Sequence, residues 1–484
     1  MTDPAARLDA PAPPAAHPAG AEAVGFWTIV REAVRGDVNH DFTEGPIGRA
    51  ILLLAVPMVL EVSLESIFAV ADIFWVSHLG PDAVAAVGLT ESLLTVIYAL
   101  AMGLGIGATA LVARRIGEKN PDGAARAAAQ ALMLALIVSV VLGAAGVLLA
   151  PRLLALMGGT PDVIAIGRGY ATIMLGGEAA IIVLFVVNAI FRGAGDAAIA
   201  MRVLWLANII NIVLGPLLIF GPGPLPALGV TGAAVATTIG RSIGALYAVV
   251  RLFRHGSRVP VSRRHMGADF GVMRHILSLS GSATLQSLIG MASWIGLVRI
   301  LATYGSDALA GYTIAVRLII FALLPSWGLS NAAATMVGQG LGARKPDRAE
   351  SSVWRAGRYN AIFLTAVGLL FYLAAPLILR AFTSDPIVTG YAVRCLRIVA
   401  LGFPLYAYGM VLTQSFNGAC DTWTPTWLNF VCFWVFEIPF AWGLAHVLDL
   451  GPAGVFWAIM ASFSVLAVAS AGIFRQGRWK ARVV

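Results

Sequence analysis

The stretch Pro57-Met58-Val59-Leu60-Glu61-Val62-Ser63-Leu64-Glu65-Ser66-Ile67-Phe68-Ala69-Val70-Ala71-Asp72 lies inside an apolar run that extends from about residue 47 to 77. A run of that length crosses a bilayer, which takes about 20 apolar residues as a helix. Yet it carries three acids. At 100° per residue, Glu65 stands about 40° around the helix from Glu61, and Asp72 about 20° from it, so all three share one face. An acid at the centre of a span costs about 2.5–3.5 kcal/mol on insertion scales. That face is therefore expected to line a cavity within a helix bundle and to serve proton or cation coupling. The plainer alternative is that one or two of the acids pair with polar neighbours or sit at the membrane interface. Pro57, one turn before Glu61, removes a backbone donor and is expected to bend the helix.

The rest of the chain fits a membrane protein. Of 484 residues, 59% are apolar and 12% are charged, and the mean hydropathy is +0.84. Soluble domains carry about twice that share of charge, so a soluble enzyme, a disordered protein and a nucleic-acid-binding domain are excluded. Twelve spans can be read: 47–77, 83–112, 124–150, 164–191, 198–220, 229–254, 271–301, 307–337, 350–379, 388–417, 424–448 and 452–474. Turn signals separate them, among them Gly80-Pro81-Asp82, Asn120-Pro121-Asp122-Gly123 and Lys345-Pro346-Asp347. An even count puts both termini on one side. Most of the 33 lysines and arginines fall on that side, including Arg114, Arg115, Lys119, Arg263, Arg264, Arg344, Lys345 and Arg348. The excess of positive charge marks it as cytoplasmic. Arg152, Arg168, Arg299, Arg380, Arg394 and Arg397 fall on the opposite side. Residues 1–24 read as a low-complexity tail, and 25–45 as a short interfacial helix or a linker. Cys395, Cys420 and Cys432 show no metal or disulfide spacing.

Displaced by 225 residues, the sequence matches itself. Gly80, Asp82, Ala83, Gly103, Gly117, Pro121 and Asp122 fall on Gly305, Asp307, Ala308, Gly328, Gly342, Pro346 and Asp347. The same shift sets Phe191-Arg192-Gly193-Ala194-Gly195-Asp196 on Phe416-Asn417-Gly418-Ala419-Cys420-Asp421. The expected fold is all-α and polytopic, with twelve transmembrane helices in two six-helix lobes. A pseudo-two-fold axis along the membrane normal relates the lobes, a plan suited to alternating access. The divisions are a tail at 1–45, lobes at 46–254 and 271–475, a linker at 255–270 and a tail at 476–484.

Other polar residues inside spans are weighed against simple interhelical hydrogen bonding. Asn188, Asn211 and Thr237 could offer oxygens or donors near a buried acid. Glu178, Gln286, Arg317, Gln414 and Glu437 are weaker cavity candidates. Neither a nucleophile triad nor a metal-ligand spacing appears, so the chain reads as no enzyme, with no cofactor and no resident metal.

Pro57 to Asp72, followed by Ile73-Phe74-Trp75-Val76-Ser77-His78-Leu79-Gly80-Pro81-Asp82, resembles the first signature of the multidrug and toxic compound extrusion (MATE) family. So do Ala113-Arg114-Arg115-Ile116-Gly117, Phe191 to Asp196, and Gly229-Val230-Thr231-Gly232-Ala233-Ala234. The resemblance spans about residues 46–475 and is greatest to the DinF-like prokaryotic branch. It implies a bacterial inner-membrane antiporter, both termini cytoplasmic, that exports organic, cationic or amphipathic compounds in exchange for protons or sodium. Asp72 matches the key first-helix aspartate of that branch. Asn188, Asn211 and Thr237 match the polar residues around it, and Phe68 an aromatic one turn before it. Where the branch has a second acid, four residues after Asn211, this chain has Gly215. Protons are favoured over sodium, since sodium wants several oxygen ligands. In the C-terminal lobe, span seven has no acid and span ten carries Ala407 where the NorM-like branch places one. The expected partners are a small organic substrate and the lipid bilayer, with the protein a monomer and no nucleic acid involved. The alternatives are a lipid-linked precursor flippase of the same superfamily and a non-transporting membrane receptor or scaffold.

Overall fold

The structure, a computed structural model, describes residues 25–36, 40–221, 226–254 and 257–482. The tail expected at 1–24 lies outside them. Helix α1 (Phe26–Arg35) buries Ala33 and leaves Phe26 and Trp27 outside. Glu32 of α1 binds Arg49 at 2.8 Å, which ties this short amphipathic helix to the first span.

The first lobe contains α2 (Ile47–Ser77), α3 (Pro81–Gly117), α4 (Pro121–Leu156), α5 (Pro161–Gly176), α6 (Glu178–Ala194), α7 (Ala197–Phe220) and α8 (Val230–Phe253). Helices α5 and α6 are one crossing, interrupted at Gly177. The second lobe contains α9 (Phe270–Ala302), α10 (Ser306–Gly342), α11 (Pro346–Leu379), α12 (Pro386–Ala400), α13 (Phe403–Gly418), α14 (Trp423–Asn429), α15 (Ile438–Trp442) and α16 (Pro452–Arg475). Among the described residues, eleven crossings are long and apolar enough alone; α12 and α13, bent by 60° at Leu401-Gly402, form the twelfth. The crossing from Trp423 to Val447 includes two π-helical stretches, Phe430–Glu437 and Gly443–Val447. Such widened turns are rare and often occur at functional sites.

The turn signals act as the sequence implies. Proline stands in the first turn of α3, α4, α5, α11, α12 and α16, where its missing N–H would have no helical partner. Asn120 caps α4, its side-chain oxygen accepting the Gly123 N–H at 2.8 Å. The repeat extends into the backbone. Gly80 and Gly305 share φ of 98°. Lys119 at 55° matches Arg344 at 58°, and Gly195 at 85° matches Cys420 at 61°. Only turns held by the same geometry keep side-chain-bearing residues left-handed.

The segment between the lobes is anchored. Gln130 of α4 donates to the carbonyls of His265 (3.2 Å) and Gly267 (2.8 Å) and accepts the Asp269 N–H (3.1 Å).

The described contacts that join the lobes lie in the half of the molecule nearer the termini. A Cβ on Gly117 would fall 2.1 Å from the Gln339 carbonyl, and one on Gly342 would fall 2.2 Å from the Arg114 carbonyl. Helices α3 and α10 therefore cross backbone to backbone. Gly103 and Gly107 allow the same approach of α9 to α3. Thr335 donates to the Arg192 carbonyl (3.1 Å), and Gln339 to the Gly193 carbonyl (3.0 Å). On the side away from the termini, no hydrogen bond joins the lobes among the described residues. The inter-lobe hydrogen bonds and glycine crossings among the described residues are thus gathered on the termini side.

Candidate functional site

Helix α2 packs against α7 of its own lobe and α10 of the other. A Cβ on Gly328 of α10 would lie 2.8 Å from the Val59 nitrogen, so α2 meets the second lobe beside Pro57. The helix continues through Pro57, which is buried at that contact. A helix held by both lobes is placed to sense their relative movement.

The three acids on one face of α2 have two fates. Glu61 and Glu65 turn into the first lobe. Glu61 is 4% exposed and accepts from Arg192 of α6 at 2.7 Å. Glu65 accepts from Asn208 of α7 at 2.8 Å and pairs with Arg241 of α8 at 3.3 Å. The Arg241 guanidinium, buried in the same layer, lies 5.7 Å from the ring centres of both Phe68 and Tyr98. An isolated charge in this interior would cost several kcal/mol, and each pairing offsets that cost. The cavity expected to be lined by three free acids thus loses two to ion pairs. The spacing of the acids shows a shared face but not the arginines that reach it from other helices.

Asp72 is different. It is half-buried and makes no hydrogen bond or ion pair with a described residue. It lies two turns beyond Glu65, toward the side away from the termini. Glu91 of α3 stands close enough to repel it, and Arg241 close enough to attract it. Glu91 is exposed and is not among the sequence candidates. Among the expected surrounding residues, Asn211 donates to Thr237 at 2.6 Å, and both are buried. Asn188 is 1% exposed, and neither its amide nitrogen nor its oxygen has a partner. None of the three bonds to Asp72 in this conformation. Beside Gly215, where the related branch has an acid, stands Trp75: a Cβ there would meet only the indole, in ordinary contact at 3.8 Å. The indole N–H is itself unpartnered.

The remaining candidates separate. Glu178 is fully buried at the α5–α6 break, with both oxygens unpartnered, so it does not line an open cavity. Gln286 of α9 is 9% exposed with its oxygen free. Arg317 of α10 is exposed and without an ion-pair partner. Gln414 accepts from Asn417 at 2.8 Å. Among the described residues, no group of three or more His, Cys, Asp or Glu could hold a metal. Chemically, the arrangement offers a half-buried carboxylate without a described partner, with the buried Asn188, Asn211 and Thr237 on neighbouring helices of the same lobe.

The MatE family model matches residues 57–217 and 280–442. The chain is 25% identical over 442 residues to the probable multidrug resistance protein NorM of Thermotoga maritima, covering 90% of this chain and 94% of that one. It is 30% identical over 352 residues to the FAD transporter of Shewanella oneidensis, covering 72% and 77%. Among solved structures, the outward-facing conformation of a multidrug resistance MATE family transporter superposes with a TM-score of 0.84 at 29% identity, covering 93% and 98%.

Proposed function

The chain belongs to the MatE family of multidrug efflux transporters, and we propose that within it this protein is a proton-coupled antiporter for organic, amphipathic and cationic compounds. The observation that carries this reading is that Asp72 has no partner among the described residues while the inter-lobe hydrogen bonds and glycine crossings lie on the termini side. In this reading both termini are cytoplasmic and the inter-lobe space opens outward. A proton arriving from outside neutralises Asp72, removes its repulsion with Glu91, and lets α2 repack against the Asn188, Asn211 and Thr237 layer. Substrate is expelled as that cavity contracts. Since α2 also contacts Gly328, its movement loosens the inter-lobe seam and the protein turns inward. Coupling by protons is favoured over sodium because Glu61 and Glu65 are committed to arginines, so few charged oxygens remain for a bare cation.

A second reading concerns the substrate alone. Arg317 stands unpaired on α10, and one relative is named an FAD transporter. An amphipathic compound with a negative group would find an anchor at Arg317.

The test is transport in proteoliposomes under separate pH and sodium gradients, with a fluorescent organic cation and FAD as alternative cargoes. Proton-driven uptake of the cation that disappears in Asp72→Asn supports the main reading. Uptake driven by sodium alone overturns the coupling assignment, and transport of FAD in preference to the cation favours the second reading.

A further inference from the structure

Six arginines lie on the side away from the termini, against the charge bias of the chain, and three of them converge. Arg380 ends α11, while Arg394 and Arg397 lie on α12. All three line one cleft of about 890 Å³ between α11, α12 and α16. Among the described residues none makes an ion pair, and no acid lines the cleft. The nearby Asp385 turns away, its carboxylate accepting the Ile387 and Val388 N–H groups at 2.7 and 3.2 Å to cap α12. Arg397 is held in place, donating to the Tyr372 carbonyl at 2.9 Å with its guanidinium over the Tyr372 ring at 5.6 Å.

The depth of these groups matters. At 1.5 Å per residue, Arg394 and Arg397 lie about 12 and 17 Å along α12 from Pro386, within the helix and not at its start. Tyr372 of α11 and Trp457 of α16 line the same cleft, and such amphipathic rings favour membrane interfaces. Apolar walls stand beside the arginines: Val393, Ile398 and Leu401. Hydroxyls of Ser384 and Thr389 stand at the rim. Arginine forks suit phosphate oxygens, and the apolar floor suits a hydrocarbon chain.

We propose that this cleft binds an anionic phospholipid of the leaflet opposite the termini, with the phosphate on Arg380, Arg394 and Arg397 and an acyl chain against Val393, Ile398 and Leu401. The bound lipid spans α11 and α12, and so braces the upper half of the 60° bend between α12 and α13. The site lies outside the first-lobe carboxylates, and its occupancy is independent of the coupling ion.

The test uses the purified full chain in neutral detergent, with phosphatidylglycerol, phosphatidylcholine or inorganic phosphate added. Thermal unfolding and native mass spectrometry are the readouts, on the wild type and on the variant Arg380→Gln with Arg394→Gln. Both substituted side chains are exposed, so the variant is expected to unfold near the wild-type temperature without lipid. Phosphatidylglycerol should raise the wild-type unfolding temperature more than phosphatidylcholine does and remain bound in the mass spectrum. The variant should lose most of that excess shift and most of the bound lipid. Equal shifts with both lipids, an undiminished shift in the variant, or a full shift with inorganic phosphate alone would overturn the proposal; the last would indicate a free-anion site. If the variant unfolds without lipid far below wild type, Arg380→Lys with Arg394→Lys replaces it: weakened phosphatidylglycerol retention supports the site, and unchanged retention overturns it.

Discussion

In the first lobe, Glu61 meets Arg192 at 2.7 Å and Glu65 meets Arg241 at 3.3 Å. In the second lobe, Glu437 is as deeply buried, at 3% exposed, and its bond comes from the neutral hydroxyl of Ser462 at 2.9 Å. No cation lies within ion-pair distance of Glu437 among the described residues. The lobes repeat each other's turns to within a few degrees in φ at Gly80 and Gly305 or Lys119 and Arg344. Their interiors do not repeat. A duplicated backbone preserves what turns and close crossings require, while buried polar groups are free to diverge as long as each lobe satisfies its own. Coupling chemistry can therefore reside in one lobe while the other supplies a scaffold of matching shape.

The largest expected break in this comparison is functional. Asp72→Asn should lower gradient-driven transport at least tenfold, equivalent to about 1.4 kcal/mol or more, whereas Glu437→Gln should stay within about twofold of wild type. Proteoliposome flux measures both, and the reverse order would place coupling in the second lobe. Stability should show the next contrast. Glu61→Ala strands a mostly buried guanidinium and should cost about 3 kcal/mol, the low end for a broken buried pair since Arg192 keeps some exposure. Glu437→Leu should cost about 1 kcal/mol, because Ser462 still donates to the Ile459 carbonyl at 3.0 Å. Reversible unfolding in mixed micelles reads the difference. The seam between the lobes comes next: Gly342→Ala forces α10 from α3 and should cost about 2 kcal/mol, as overpacking does. Cysteine labelling from the termini side should also speed up in that variant. The smallest effect is Arg241→Lys, which keeps the charge near Glu65 but loses the planar contact with Phe68 and Tyr98. It should cost about 1 kcal/mol in thermal stability.

Much of the architecture was legible because it depends on local rules. Apolar run length fixed the crossings, Pro-Asp and Gly-Pro punctuation marked their starts, and the 225-residue register paired the lobes. The single crossing at 388–417 was found, but its 60° bend at Leu401-Gly402 was not; glycine alone does not specify an angle. The site was half legible. Helical spacing put Glu61, Glu65 and Asp72 on one face, yet which acid stays free depends on Arg192 and Arg241, more than a hundred residues away. Arg192, in the last turn of its helix, turns its side chain to Glu61 of the first span, which its place in the sequence does not show. Gly215 read as a missing acid, and the structure sets Trp75 beside it. Glu91 gave no signal, because only the fold brings it beside Asp72.

The crossing of α3 and α10 has a mechanical consequence. Where Gly117 and Gly342 bring main chain against main chain, no side chain is available to swing aside. A gate built from side chains can flicker open by rotamer changes and leak. This seam parts only when whole helices move. In the proposed cycle its closed end would act as a valve with two positions, keeping ions and solutes on either side apart until the lobes turn.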